Sequence, residues 1–518
     1  MVLGNTSLSA NPSLFSDIQP SEASSPSGNS MFFSFPVCLW TISIYSFIFG
    51  NVRGTQIRLS ILARAALPLL LTLSAGWGKG AVAGDIFSDT TYFPIAVWLQ
   101  DPSNASAYKA AGINLYIGLW EGPTKEQLDK LKSVGMPVLC DQNQFALTNL
   151  SAYGGIIAGW LHGDEPDNAQ DDGNGGYGPC ISPDTIIKKY SAWKSKCPDL
   201  PVILNLGQGV SNIDYVGRGS ACHARTDMYP KYLQGCDLVS FDIYPVNSSY
   251  AAIKGNLWYV AKGIDSLRLW GGDKKPAWSW IECTRIDSSS SAAPTPDQVK
   301  SEVWMALIHG AKGFGYFCHS WYGGFKEAGW LTNTQMKTAI TAINSRVSTI
   351  APVLNSPSVP CKVTVSTDVA SAPIDIMVKV HAGCTYIFAA AMRNSAVKVT
   401  FSSTCLGKTA TVEVLDENRT LTATNGAFQD DFKGFGVHLY KINTGTGIGN
   451  HHGARIFPLS PRAPKPVPML KAGGGFYSAD ANNRIAKSVY TIQGILLKRN
   501  FTPAPGSVKM PDGIYIIH

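Results

Sequence analysis

From Gly84 onward, apolar runs of strand length alternate with amphipathic stretches. Phe93 to Leu99, Ile113 to Trp120, Met136 to Cys140, residues 156–165, Pro201 to Leu206, Cys236 to Tyr244, Pro276 to Thr284 and Gly313 to Ser320 read as eight strands. Each run is short, rich in Val, Ile and aromatic residues, and bounded by turn residues, as buried parallel strands are. Helical periodicity fills the gaps at residues 104–111, 124–134, 182–197, 251–269, 296–310 and 334–353. The segment from Thr124 has Leu128 and Leu131 on one face and Gln127 three residues after the Thr, so a capped helix is expected there. Pro183 sits where a first helical turn tolerates it. Eight strands with interleaved helices over residues 84–352 match the ~250 residues of a (β/α)8 barrel, an α/β TIM barrel. A doubly wound open sheet would show a Gly-rich turn after its first strand, and Gln100-Asp-Pro-Ser-Asn104 has none.

After Pro352 the period changes to two. Residues 361–365, 374–380, 384–391, 397–401, 410–415 and 436–442 alternate apolar with polar, so residues 353–442 are expected to form a β-sandwich. A Gly/Asn/His/Pro-rich linker follows at residues 443–470. Residues 471–518 form a small β unit, too short to hold a core alone.

Residues 1–83 read as a leader. Arg58 to Ala83 has the basic start, apolar middle and small-residue cleavage site of a secretory signal. Upstream lies a second apolar run, Met31 to Gly50, either a membrane anchor or part of a misassigned start. The remainder is therefore expected to be secreted, periplasmic or at the cell surface, touching a membrane only through an uncleaved leader. The chain has 518 residues, a net charge of +7 and 15% charged residues, with no dense Lys/Arg stripe, so no nucleic-acid partner is expected. Eleven cysteines agree with export. The Cys180/Cys197 and Cys222/Cys236 pairs each flank one loop and are each able to close it, as are two of Cys361, Cys384 and Cys405. No Cys or His spacing suggests a metal, and no cofactor is expected. Asp171-Asp172-Gly-Asn174 has the composition of a calcium loop without its distal Glu, and reads as a solvated loop.

A barrel builds its reactive face from the residues just after its strands. Here they are Trp98 and Gln100, Trp120 and Glu121, Asp141 and Gln142, Asp164 and Glu165, Asn205 and Gln208, Asp242 and Tyr244, Trp280 and Glu282, and His319 with Trp321. Acids, amides and tryptophans together suit sugars, whose hydroxyl edges need bidentate partners and whose C–H faces need aromatic platforms. Two glutamates delivered by strand ends four and seven, Glu165 and Glu282, are expected to form a carboxylate pair. About 5–5.5 Å between two such carboxyls retains the anomeric configuration, and about 6.5–9.5 Å inverts it.

Glu165, Glu282 and Asp242-Ile-Tyr244-Pro together resemble clan A glycoside hydrolases, the retaining (β/α)8 group with β-galactosidase-like and cellulase-like members. The resemblance covers residues 84–352. It implies that Glu165 is the general acid/base, Glu282 the nucleophile and Tyr244 the phenol that bonds it, with an oligo- or polysaccharide as substrate. Clan members usually carry Asn before the acid/base, where this chain has Asp164, which accepts from a sugar hydroxyl but cannot donate to it. Trp98, Trp120, Asp141, Asp164, Asn205, Asp242, Tyr244, Trp280, His319 and Trp321 are the expected substrate-binding residues. Two rival readings are a non-catalytic carbohydrate-binding barrel and an inverting hydrolase using Asp242 or Asp141 as base. The tail from Val489 to Ile517 is similar to C-terminal sorting domains of Bacteroidetes secreted proteins.

Overall fold

The computed structural model describes residues 86–358 and 362–443, with the backbone of three further strands near the C-terminus. The leader, the linker, Cys361 and the side chain of Cys405 lie outside the described residues. Among the described residues no helix is long and apolar enough to cross a membrane.

Eight parallel strands close in sequence order into a barrel: β1 Ile95–Trp98, β2 Leu115–Ile117, β3 Val138–Cys140, β4 Ile157–Leu161, β5 Val202–Leu206, β6 Leu238–Asp242, β7 Ala277–Glu282 and β8 Gly313–Phe317. Closure is made by β1 with β8, where Ile95 pairs with Phe314 and Val97 with Tyr316. The helices that pack outside include α1 Ala105–Ala110, α2 Lys125–Val134, α3 Pro183–Lys196, α4 Tyr259–Gly271, α5 Pro296–Ile308, α6 Thr334–Thr349 and α7 Ala351–Asn355. Capping boxes start two of them, Thr124 with Gln127 on α2 and Thr295 with Gln298 on α5. The expected helix from residue 251 begins only at Tyr259, because Gly255 takes φ +72° and turns the chain first.

Alternation along the strands sends one set of side chains inward and the other to the helices. Inside lie Ala96, Trp98, Leu115, Ile117, Leu139, Ala158, Ile203, Trp278 and Trp280, all buried. The indoles fit because β8 offers no side chains opposite them. A Cβ on Gly313 would sit 2.5 Å from Trp278, and one on Gly315 would sit 2.2 Å from Trp280.

The following eight strands are β9 Thr364–Thr367, β10 Ile374–His381, β11 Cys384–Ala391, β12 Val397–Ser402, β13 Thr409–Val414, β14 Arg419–Thr424, β15 Ala427–Phe432 and β16 Val437–Asn443. They form one antiparallel sheet, ordered β10-β11-β16-β13-β14-β15-β12-β9, which encloses a sandwich-like core around Phe401, Phe428 and Tyr440. The outer face of β11 packs on the barrel, with Phe388 stacked on Trp304 of α5 at 5.4 Å between ring centres. The strands β14 and β15 escaped the period-two reading. Their hairpin turn, Asn425-Gly426 at φ +51° and +76°, is nonetheless the Asn-Gly pair that a tight right-twisted hairpin demands.

A separate unit, residues 450–518, contains β17 Ala486–Thr491 paired with both β18 Leu496–Phe501 and β19 Ile514–Ile517.

Candidate active site

Four carboxyl groups meet above the barrel: Asp164, Glu165 and Asp167 from the turn after β4, and Asp242 from the end of β6. Glu165 is 9% exposed and takes a left-handed φ of +42°, a conformation a Glu adopts only when its surroundings hold it there. Its Oε2 accepts Asn168 Nδ2–H at 2.9 Å and Arg218 at 3.0 Å. Arg218 is itself braced, donating from Nε to the Ala169 carbonyl at 2.8 Å. A negative charge on Glu165 is thus compensated directly.

Asp242 is the opposite case. Burial first, then the charges of Glu165 and Asp164 and a hydrogen bond with Glu165, hold its carboxyl well above the usual carboxylate range. Tyr244 O–H lies 3.4 Å from Asp242 Oδ2. The Tyr244 phenol is kept neutral by burial and by Asp242. Asp242 is therefore the carboxyl that the surroundings hold in its protonated form, against a Glu165 whose Oε2 faces Arg218.

Asp164 is open to solvent yet has protein on most sides. Burial and Glu165 push its carboxyl up to about 7. Asn205 donates to Asp164 Oδ1 at 2.8 Å, and its orientation is fixed from below, because Oδ1 of Asn205 accepts Ser240 at 2.8 Å and Trp280 Nε1–H at 2.9 Å. Asp167 accepts Gly207 N–H at 2.9 Å and Tyr229 O–H at 3.1 Å, and burial with Glu165 pushes it to about 7. Tyr215 completes the group; burial first, then Glu165, keep its phenol neutral.

Glu282 does not join this cluster. It is 0% exposed, and its oxygens are taken by Val246 and Asn247. Burial raises its carboxyl, while Val246 N–H, the Glu302 side chain of α5 and Asn247 lower it. The expectation that Glu165 and Glu282 flank one cleft is corrected by this geometry: the partner that Glu165 meets is Asp242. Trp98 and Trp280, expected as sugar platforms, are 5% and 1% exposed and pack edge to face inside the barrel at 4.9 Å. Asp141 lies on the outer rim, 4.0 Å from Lys189. His319 is buried, with Nε2 between the Leu99 carbonyl at 3.1 Å and Gln100 Nε2 at 3.0 Å, and burial lowers it to about 4, so it stays neutral.

His319 instead supports an aromatic surface. Trp120, Trp321, Tyr322 and Phe325 are 40–50% exposed, and the His319 ring touches those of Trp120, Trp321 and Phe325. Arg285 covers Tyr322 at 4.0 Å, and Trp120 Nε1–H donates to Glu327 at 2.6 Å. Phe317 joins this surface to the carboxyl cluster, contacting Trp321 on one side and Tyr244 on the other.

Arg218, Tyr215 and Asp167 were not singled out from the sequence. Asp167 was visible in Asp164-Glu-Pro-Asp167, one turn past the strand. Arg218 and Tyr215 come from the long β5–β6 connection, which carries no periodic signal. That connection is tied down by a Cys180–Cys222 disulfide, while Cys197 and Cys236 are buried free thiols and Cys384 is also free, so both loop-closing pairs anticipated above give way to a bond between two different loops. The Asp171-Asp172 segment spends its carboxylates on Gly173, Asn174 and Gly176 N–H groups within its own turn.

No family model matches the chain, and no curated protein matches it. Among solved structures it is similar to a variant of AmyP in complex with maltotriose, at 9% identity over 70% of this chain and 98% of that one, with a TM-score of 0.42. An alpha-amylase from Geobacillus thermoleovorans complexed with acarbose matches at 10% identity over 68% and 98%, with a TM-score of 0.36. A putative alpha-galactosidase from Bacteroides fragilis matches at 10% over 68% and 79%, with a TM-score of 0.42. Likeness at this level says nothing of the reaction, which has to be read from the side chains.

Proposed function

We propose that this protein is an exported glycoside hydrolase that cleaves O-glycosidic bonds of an oligo- or polysaccharide. The observation that carries the reading is the Glu165–Asp242 pair, one carboxyl protonated and one compensated by Arg218. Glycoside cleavage needs this division of labour: an acid to protonate the departing oxygen, and a carboxylate to attack or stabilise the anomeric carbon. In this assignment Asp242 is the acid and Glu165 the carboxylate, a reversal of the acid role expected for Glu165. Retention through a glycosyl-enzyme is the outcome that the resemblance to clan A implies, and inversion is its alternative. In this reading Asp164, steadied by Asn205, holds a sugar hydroxyl, and the Trp120–Trp321 surface stacks on sugar faces. The signal-like leader and the Cys180–Cys222 bond support export.

The test is reducing-sugar release from a polysaccharide panel, with proton NMR of the first-formed anomer. Release should be abolished in Glu165→Gln and in Asp242→Asn, and the first product should keep its configuration. Binding without any release by the wild type would instead establish a carbohydrate-binding barrel, and an inverted first product would reject the glycosyl-enzyme.

A further inference from the structure

Glu282 and Glu302 are both 0% exposed. A carboxylate with no route to solvent cannot meet a sugar, so its use lies in what it holds. Glu282 Oε1 accepts Val246 N–H at 2.6 Å; Oε2 accepts Asn247 N–H at 2.8 Å and Asn247 Nδ2–H at 2.6 Å. The Asn247 side chain then reaches onward, donating to the Thr284 carbonyl at 2.9 Å and accepting Ile286 N–H at 2.8 Å. One carboxylate and one amide thereby fasten the turn after β6 to the turn after β7. The fastened residues follow Asp242-Ile243-Tyr244-Pro245 directly, so the clamp sets where the Asp242 carboxyl stands against Glu165. From behind, α5 presents Glu302, whose two oxygens have no other partner. Burial and the charge of Glu282 hold the Glu302 carboxyl in its neutral form.

We infer that Glu282 is a positioning residue that fixes the Asp242–Asn247 turn, with the buried Glu302 side chain backing it from α5. The inference rests on the reading above in so far as Asp242 is the acid being positioned. It assigns Glu282 a task different from attack on the anomeric carbon, and the two tasks part company experimentally.

Hydrogen exchange followed by mass spectrometry on the full chain reads the clamp without any sugar. In Glu282→Gln the peptide carrying Val246 and Asn247 should exchange at least about tenfold faster, the equivalent of one lost charge-assisted hydrogen bond. Unchanged exchange there overturns the clamp. Glu302→Gln should exchange and turn over like the wild type, since a carboxamide is as neutral as the buried acid and keeps its shape, whereas Glu302→Leu should behave like Glu282→Gln. Equal damage from both Glu302 variants would reject the backing role. In turnover, Glu282→Gln should lose about 10- to 100-fold in kcat with KM within about twofold. Azide should not restore Glu282→Ala, and rescue with formation of a glycosyl azide would make Glu282 the nucleophile and end the proposal. If the wild type releases no sugar at all, the glycosidase reading falls while the exchange result still decides the clamp.

Discussion

His309, at the C-terminal end of α5, bridges the barrel to the sheet that follows it. Its Nδ1 lies 2.9 Å from Asp265 of α4 and its Nε2 3.1 Å from Asp375 of β10. Burial alone would lower its pKa, but the two carboxylates outweigh burial and raise it from 6.5 to about 9. Other charges lie close by: Arg268 donates to the His309 carbonyl at 2.6 Å, and Lys312 is lowered by burial and by Arg268. A rise of that size corresponds to about 3 kcal/mol before screening. The Asp265 and Asp375 side chains are 53% and 42% exposed, so solvent screening brings this to about 1–2 kcal/mol. Because the folded pKa is the higher one, the stabilisation is whole below pH 6.5, shrinks from there upward, and is gone once the pH has passed about 9. His309→Gln keeps a hydrogen-bond donor and removes the charge. For a folded body the size of residues 86–443, unfolding entropy is roughly 0.7 kcal/mol per degree, so the variant should melt about 2 °C below the wild type at pH 6. By pH 10 the two melting curves should coincide. Lysines such as Lys379, lowered to about 8, titrate in both proteins and cancel in the difference. A gap that is the same at pH 6 and pH 10 would refute the reasoning.

The remaining predictions concern turnover. Because Asp242 is held well above the carboxylate range and Asp164 and Asp167 near 7, sugar release should persist to at least pH 7; an acid limb lost above pH 5 would contradict the proton assignment. Arg218→Met strips the compensating charge from Glu165 and should cut kcat by about 100-fold, or ~2.7 kcal/mol; wild-type turnover in that variant would remove Arg218 from the site. Trp321→Ala should raise KM for a long oligosaccharide about three- to tenfold with kcat little changed, the value of one stacking contact. An unaltered KM would show that the exposed aromatic surface is not part of the binding track.

The barrel was legible because burying a parallel strand on both faces forces a continuous apolar run, and eight such runs leave little else to build. The cluster of acids was legible for three of its four members. Asp164, Glu165 and Asp242 end strands, where a linear reading looks for chemistry. The fate of Glu282 was not legible, since it ends its strand in the same manner and differs only in meeting the N–H groups of Val246 and Asn247, which a loop brings from another part of the chain. Trp98 and Trp280 were misread for a related reason: the glycines of β8 that make space for indoles inside the barrel stand far from them in sequence. Arg218 and the Cys180–Cys222 pairing both depend on how one long connection drapes over another, and no periodicity encodes that.

The indoles of Trp98, Trp278 and Trp280 have a consequence for traffic. With bulky rings set against bare backbone on β8, the middle of the ring of strands is stoppered. On the proposed function, a polymer could not thread through it; it would lie across the rim, and the cleaved product would depart by the way it came. Carving space among the indoles would therefore loosen the scaffold and open no second door.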